Sequence, residues 1–234
     1  MQPELQPVQA NVPTSAQELS LQQSRVLRNT YWLLAVTLIP TAIGAVIGTN
    51  LNLSFLRSSP ILSFMVILAV FYGWIFAIEK SRNSGLGVAL LLGFTLFLGL
   101  LLGPLFQSVL AFKNGAQLVM LAAGGTSAVF FGLATVASTA KRDFSGLSKF
   151  LLVGFFVIML SVIANLFLAS PVFQLMILGG FILFSSLIIL WQINSIVRGG
   201  ETNYISATLT LYVALYNLFS SLLQLLGIFG GDHD

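Results

Sequence analysis

Cysteine is absent from the chain of 234 residues, and charged side chains are scarce. Without cysteine, the protein can form no disulfide, no thiolate nucleophile and no cysteine-based zinc site. Charged residues make up 7% of the sequence and hydrophobic residues 57%, whereas soluble domains carry roughly 25% charged residues. So few charges cannot cover a surface that faces water. The apolar side chains are therefore expected to face the hydrocarbon of a bilayer.

Ionisable side chains are also missing from the middle of every long hydrophobic stretch. Ion pathways and proton relays in membranes usually depend on buried Asp, Glu, Arg or His. The single histidine, His233, is next to the C-terminal residue and is expected to be solvated. Without paired carboxylates, a His cluster or a Ser/His/Asp set, no hydrolytic or metal-dependent mechanism can be assembled. The sequence predicts a protein that is not an enzyme, with no catalytic residue, cofactor or metal.

The basic residues are dispersed, so the net charge of +3 does not indicate a nucleic-acid partner. A small excess of Lys and Arg is what a membrane protein needs to set its orientation.

Seven hydrophobic stretches are long enough to cross a membrane, because about 20 residues of helix span about 30 Å of hydrocarbon. The predicted fold is therefore all-α, a bundle of seven transmembrane helices. The break between the fifth and sixth stretches rests on the short turn before Pro171, a residue favoured in the first turn of a helix. The predicted spans run from about 29–48, 60–78, 86–111, 116–137, 149–168, 171–196 and 204–229.

The distribution of basic residues predicts which side of the membrane each loop occupies. Lys and Arg accumulate in cytoplasmic loops, and eight of the ten fall on the side of the N-terminus. The N-terminus is therefore predicted to be cytoplasmic and the C-terminus periplasmic, in a bacterial inner membrane. The eight are Arg25, Arg28, Lys80, Arg82, Lys141, Arg142, Lys149 and Arg198, and the two on the opposite side are Arg57 and Lys113.

Residues 1–24 precede the spans, and residues 25–230 form the predicted transmembrane domain. The leader is polar, rich in Gln, Pro and Ser, and has no basic residue, which distinguishes it from a signal peptide. Its low hydrophobicity predicts a disordered cytoplasmic tail. An inert leader and a functional tail are both compatible with this composition.

Small residues at helix-packing spacing occur in the first and third spans, as the pairs Gly44/Gly48 and Gly99/Gly103. Glycines four apart allow close approach of two helix backbones, either within the monomer or in a dimer. Pro104 follows Gly103 and should kink the third span, because it lacks a backbone donor. The kink is either purely structural or part of a permeation path.

The seventh span carries a polar residue at every fourth position. Such a row winds around a helix of 3.6 residues per turn, and polar groups facing lipid are costly. We therefore expect the seventh helix to lie at the centre of the bundle, with Gln192 and Asn194 of the sixth span as candidate partners. The row is either a structural seam or the lining of a water or ion path. Its members are Tyr204, Thr208, Tyr212, Tyr216, Ser220 and Gln224, joined by Asn217 and Ser221.

Three stretches resemble the Bax inhibitor-1 family of seven-helix membrane proteins. They are LGLLLGPLF (98–106), LAAGGTSAVFFGLA (121–134) and GGETNYISATLTLYVALYNLFSSLLQLLG (199–227). The resemblance covers nearly all of the chain after the tail, and it implies a central seventh helix enclosed by the other six.

Two functions follow from the resemblance. Some family members are pH-sensitive calcium leak channels gated by a carboxylate pair, at positions matched here by Gln192 and Ala214. Since neither residue can ionise, calcium is not expected as a partner. The proteobacterial branch that the sequence resembles more closely implies a protein that binds and restrains the membrane-anchored protease FtsH. Such a protein is itself a slow substrate, for which a flexible N-terminal tail is suited. A calcium or proton leak channel is the alternative.

Overall fold

The computed structural model describes residues 15–51, 59–140 and 142–231, with side chains placed from Glu18 onward. These residues form seven helices and no strand, and each helix is long and apolar enough to cross a membrane. The helices are α1 (Ser15–Asn50), α2 (Pro60–Lys80), α3 (Gly85–Leu110), α4 (Gly115–Thr139), α5 (Leu147–Leu168), α6 (Pro171–Val197) and α7 (Tyr204–Gly230).

The predicted seven-helix fold is confirmed, and the first span is the one whose beginning differs most. Helix α1 begins at Ser15, so residues 15–24 are helical and the expected disordered tail cannot extend to residue 24. Gln, Leu, Ala and Glu make up seven of these ten residues and are good helix formers, while Glu18 complements the helix dipole in the first turn. The rest of the tail, together with Arg57, Lys141 and His233, lies outside the described residues.

The tight turn between α5 and α6 is where the sequence places it. Ala169 ends α5 in the left-handed conformation, with φ 45° and ψ 36°. Ser170 then caps α6, because its hydroxyl accepts a hydrogen bond from the amide of Phe173 at 3.3 Å. Pro171 occupies the first turn, where its missing N–H costs nothing.

Helix α7 lies at the centre of the bundle and packs against α1, α2, α3, α4 and α6. Around it, neighbouring contacts run in the order α1, α3, α2, α5, α6 and α4, with α2 and α5 meeting through the rings of Tyr72 and Phe155. Many of its residues are fully buried, including Leu211, Ala214 and Leu218. Three members of the polar row, Thr208, Tyr212 and Ser221, are buried as well, and its other members are partly buried.

The glycine pairs of α1 and α3 interlock with each other. A Cβ placed on Gly103 would overlap the backbone of Gly48, and one on Gly99 would overlap the backbone of Thr41. The carbonyl of Leu100, which loses its helical donor because Pro104 has no N–H, faces the Cα side of Gly48. Both pairs thus serve packing within the monomer, and the neighbouring helix covers the carbonyl that proline frees.

A cleft and a cavity lie beside α7 in the part of the chain that the structure describes. A cleft of about 950 Å³ lies between α1 and α4, and a cavity of about 250 Å³ separates α7 from α5. These gaps divide the polar residues of α7 between two faces of the helix.

Candidate functional site

The cleft has two walls of mostly small residues and a floor formed by α7. On α1 the wall includes Ala35, Ala42 and Ala45, and on α4 it includes Ala123 and Ser127. The hydroxyls of α4 along this wall, such as that of Ser127, donate to carbonyls of their own helix at 2.7–2.8 Å. The walls therefore offer shape and apolar surface, with few donors left for an occupant.

Tyr212 connects the floor of the cleft to α1 and α3. Its hydroxyl lies 2.7 Å from that of Thr41 and 3.3 Å from the carbonyl oxygen of Thr95, to which it donates. The side chain is 2% exposed. These contacts join three helices at one buried point.

Tyr216 follows one turn later and lines the same cleft. Its ring centroid is 6.5 Å from that of Tyr212, with an interplanar angle of 35°. The two tyrosines place an aromatic, partly polar surface at the bottom of the cleft.

Asn217 and Gln224 lie on another face of α7, where they line the cavity beside α5. The facing wall includes Asn165 and Gln174, whose side-chain amides are hydrogen bonded at 2.8 Å. Polar groups buried in a membrane need partners, and a cavity of this size and polarity has room for water. This cavity therefore combines amide side chains from three helices with space for water.

The two candidate residues of α6 have different surroundings. Asn194 donates to the carbonyls of Ala137 at 3.2 Å and Arg142 at 3.4 Å, and it accepts from the amide of Phe144 at 3.1 Å. The interpretation of Asn194 as a partner of the polar row of α7 is therefore wrong. Its short amide side chain instead caps the end of α4 and the loop that follows.

Gln192 is buried to 2% exposure, and its Nε2 has no hydrogen-bond partner among the described residues. The hydroxyls of Ser185 and Thr30 are also buried without partners in the described structure. An unsatisfied buried donor costs about 1–3 kcal/mol. Gln192 is therefore the buried amide of the site whose hydrogen bonding is incomplete.

Polar contacts fix the N-terminus of α7 at the basic end of the bundle. The side-chain oxygen of Asn203 accepts from the amides of Ile205 and Ser206, which caps the helix. The hydroxyl of Ser206 donates to Glu79 at 2.9 Å, which joins α7 to α2. At the same end, the Ser145 amide donates to Asp143 and lowers the pKa of that exposed carboxyl.

Gly103 and Pro104 belong to the α1–α3 packing described above and do not line the cleft, although their neighbours Leu102 and Phe106 do. The structure thus separates the candidate residues: Tyr212 and Tyr216 line the cleft, Asn217 and Gln224 line the polar cavity, and Gln192 is buried within α6.

Sequence reasoning missed the polar partners that lie on other helices. Thr41 and Thr95 bond Tyr212, while Asn165 and Gln174 complete the polar cavity. Asn165 and Gln174 could have been noticed, because each is an amide within an apolar span beside the same short turn. Thr41 gave no such signal, because threonine in a helix commonly bonds its own backbone. Thr95 accepts through its backbone carbonyl, which any residue would offer.

The arrangement defines a class: a polytopic helical membrane protein whose polar groups are enclosed around one central helix. Within the described residues, no group of three or more His, Cys, Asp and Glu side chains could hold a metal ion. The geometry supports binding and packing functions.

Comparisons with known proteins agree with this class and identify the family. The model of the family described as inhibitor of apoptosis-promoting Bax1 matches residues 23–231. The chain therefore belongs to the Bax inhibitor-1 family.

Several bacterial relatives cover almost the whole chain. It is 44% identical over 209 residues to a protein of Pseudomonas aeruginosa, covering 89% of this chain and 91% of the relative. It is 43% identical over 215 residues to a protein of Neisseria meningitidis serogroup A, covering 91% and 95%. It is 41% identical over 212 residues to the Escherichia coli K12 protein named modulator of FtsH protease YccA, covering 91% and 94%.

Proposed function

We propose that this protein is a non-enzymatic inner-membrane partner of an FtsH-type protease complex, which it binds and restrains. The observation that carries the proposal is the 41% identity to the Escherichia coli modulator over nearly the full length of both chains. A helix bundle with exposed apolar side chains on each of its six peripheral helices is suited to lateral association within the bilayer.

The proposal includes an orientation with the N-terminus in the cytoplasm. Arg25, Arg28, Lys80, Arg82 and Arg198 all lie at one end of the described helices, as the positive-inside rule requires of a cytoplasmic face. Residues 1–14 precede α1 at this end. An ATP-dependent protease must grip a chain terminus before pulling, so we propose that this segment makes the protein a slow substrate.

Two truncations distinguish the tail from the helix that follows it. Deleting residues 1–14 leaves α1 complete, whereas deleting residues 1–23 also removes its first turns. The half-life of each variant in cells is measured beside a control whose residues 1–14 are replaced by a Gly/Ser segment of equal length. Longer half-lives for both truncations, with normal turnover of the control, are expected. Turnover of both truncations at the full-length rate contradicts a role of the tail.

Binding is tested by co-purification from native membranes in mild detergent. Recovery of the protease complex with the full-length protein is expected, and the truncated proteins should also recover it if the transmembrane helices form the contact. Failure of the full-length protein to recover the complex contradicts the proposal.

The polar cavity favours a calcium or proton leak pathway as a second candidate. Asn165, Gln174, Asn217 and Gln224 form a vestibule at one end of α7, but Leu209, Leu211 and Leu218 fill the centre and are buried. A pathway therefore requires opening of this apolar segment. Flux through liposomes holding the purified protein, reduced by Tyr216→Phe or Gln192→Leu, supports the channel. Flux equal to empty liposomes between about pH 6 and 8 excludes it.

A further inference from the structure

The cleft between α1 and α4 is a break in the ring of helices around α7. At one end the ring is completed by α1 packing on α6, where Val26 meets Ile196. At the other end α3 packs on α4 through Val109 and Leu118. Between these ends, the walls are mostly small residues and the space is about 950 Å³. The rings of Tyr31 on α1 and Phe130 on α4 meet edge to face across it, with centroids 6.0 Å apart. In a bilayer, such an opening is filled by a neighbouring lipid or by a helix of another protein.

Two exposed arginines, one beyond each wall, lie at the basic end of the cleft. Arg28 is seven residues before the wall residue Ala35, two helical turns along the same face of α1. Arg142 comes three residues after Thr139, which ends α4 and also lines the cleft. Both arginine side chains are exposed, and neither guanidinium has a hydrogen-bond or ion-pair partner among the described residues.

The geometry of the loop leaves the guanidinium of Arg142 available to bind an anion. Its backbone carbonyl is held by Asn194 at 3.4 Å, which fixes the loop beside the end of α4. The neighbouring carboxylate, Asp143, accepts from the Ser145 amide at 2.8 Å and interacts with the charge of Arg198. The negative charge next to Arg142 is thus already engaged elsewhere.

We propose that the cleft binds an anionic glycerophospholipid, with acyl chain along the α1 and α4 walls and phosphate between Arg28 and Arg142. The wall hydroxyls donate to their own helices, so they leave an apolar lining with few donors for an occupant. Because lipid tails are as apolar as this lining, replacing one acyl chain by another in the cleft changes the binding free energy little. The arginines therefore select the lipid by its headgroup charge.

This division of roles predicts a specific pattern of lipid binding. Each arginine near the membrane surface favours an anionic lipid by about fivefold, so the pair should favour it by roughly 25-fold over a zwitterionic lipid. The preference should fall about fivefold in either Arg28→Gln or Arg142→Gln and disappear in the double variant. Lys149→Gln changes an exposed basic residue at the same end, on α5 and away from the cleft, and should leave the preference unchanged.

Native mass spectrometry of the full-length protein, delipidated in mild detergent, measures this preference. Phosphatidylglycerol and phosphatidylethanolamine of identical chains are added in competition, and the bound fraction of each is counted. Inorganic phosphate at the same concentration should displace neither, because the site requires a chain as well as a phosphate. Equal binding of the two lipids to the wild type, or an unchanged preference in the double arginine variant, overturns the proposal.

A second set of variants tests the cleft itself. Ala42→Trp fills the space from α1, and Ser127→Trp fills it from α4 should the first variant fail to fold. Either should remove binding of both lipids, while Gly179→Trp, on an open face of α6, should not. A photocrosslinker at Ala42 should capture lipid in native membranes. Capture of a protein helix there, or lipid retention in both filled variants, overturns the assignment, and neither result depends on the proposed protease.

Discussion

The interlocked glycines of α1 and α3 make the bundle sensitive to Gly103→Ala. The new Cβ would lie 2.6 Å from the Cα of Gly48, and closer still to its carbonyl group. Carbon atoms pack at about 3.5–4.0 Å, so the two helices must separate by about 1 Å. No flexible side chain can give way, because the opposing atoms are all backbone.

The size of the effect follows from that separation. A gap of 0.5–1 Å forfeits roughly a quarter to a half of each van der Waals contact along the interface. Overpacking typically costs about 1–3 kcal/mol, and a rigid backbone contact places this site at the upper end. Helix propensity returns up to about 1 kcal/mol when Ala replaces Gly. We expect a net loss of about 2 kcal/mol in the free energy of unfolding.

Unfolding of the purified protein, followed by circular dichroism during SDS titration from mild detergent, measures this loss. Gly124→Ala is the matched control, because a Cβ there meets nothing within 4 Å and the residue is also within a helix. The control should unfold at or slightly above the wild-type midpoint. A Gly103→Ala midpoint equal to that of the control would refute the reasoning, since the helices would then tolerate separation at their closest point.

Two further substitutions test a left-handed backbone position and a buried side chain without a hydrogen-bond partner. Ala169→Gly should stabilise the protein by about 0.5–1 kcal/mol, because Ala169 is left-handed; Ala140→Gly, at an extended helix end, should not stabilise it in the same thermal melt. Gln192→Leu should be neutral or stabilising, since it removes an unsatisfied donor, whereas Gln174→Leu should destabilise by leaving Asn165 without its partner. A clear loss of stability in Gln192→Leu would instead indicate bound water.

The sequence was sufficient for most of the fold because hydrocarbon thickness sets the length of each span. The helix ends from α2 onward lie within two residues of the predicted ends. The sequence did not predict the start of α1, because hydropathy does not register polar residues. Residues 15–24 are too polar to register as a span, yet they continue a helix that packing anchors near Gln23 and Val26. Hydropathy identifies the membrane-crossing part of a helix but not its extension into water.

The candidate site was less predictable because it depends on partners from distant parts of the chain. The row on α7 correctly indicated a central helix, but it could not show that Tyr216 and Asn217 face different spaces. Asn194 was assigned to the same seam as Gln192 from its position two residues later. Two residues rotate a side chain by about 200° around a helix, so the two amides face different neighbours.

Fewer polar side chains of α7 need a hydrogen-bond partner outside the helix than its sequence suggests. This limits the positions at which α7 can bind a ligand. Thr208 and Ser220 donate to carbonyls within their own helix, and Ser206 and Tyr212 bond residues of other helices. Among the described residues, no hydrogen bond of this kind is made by the side chains of Tyr216, Asn217 or Gln224. The polar groups that still face open space are those of Tyr216 in the cleft and of Asn217 and Gln224 in the cavity. Since Tyr216 and Asn217 lie on different faces of α7, a ligand in the cleft meets a different set of polar groups from a ligand in the cavity.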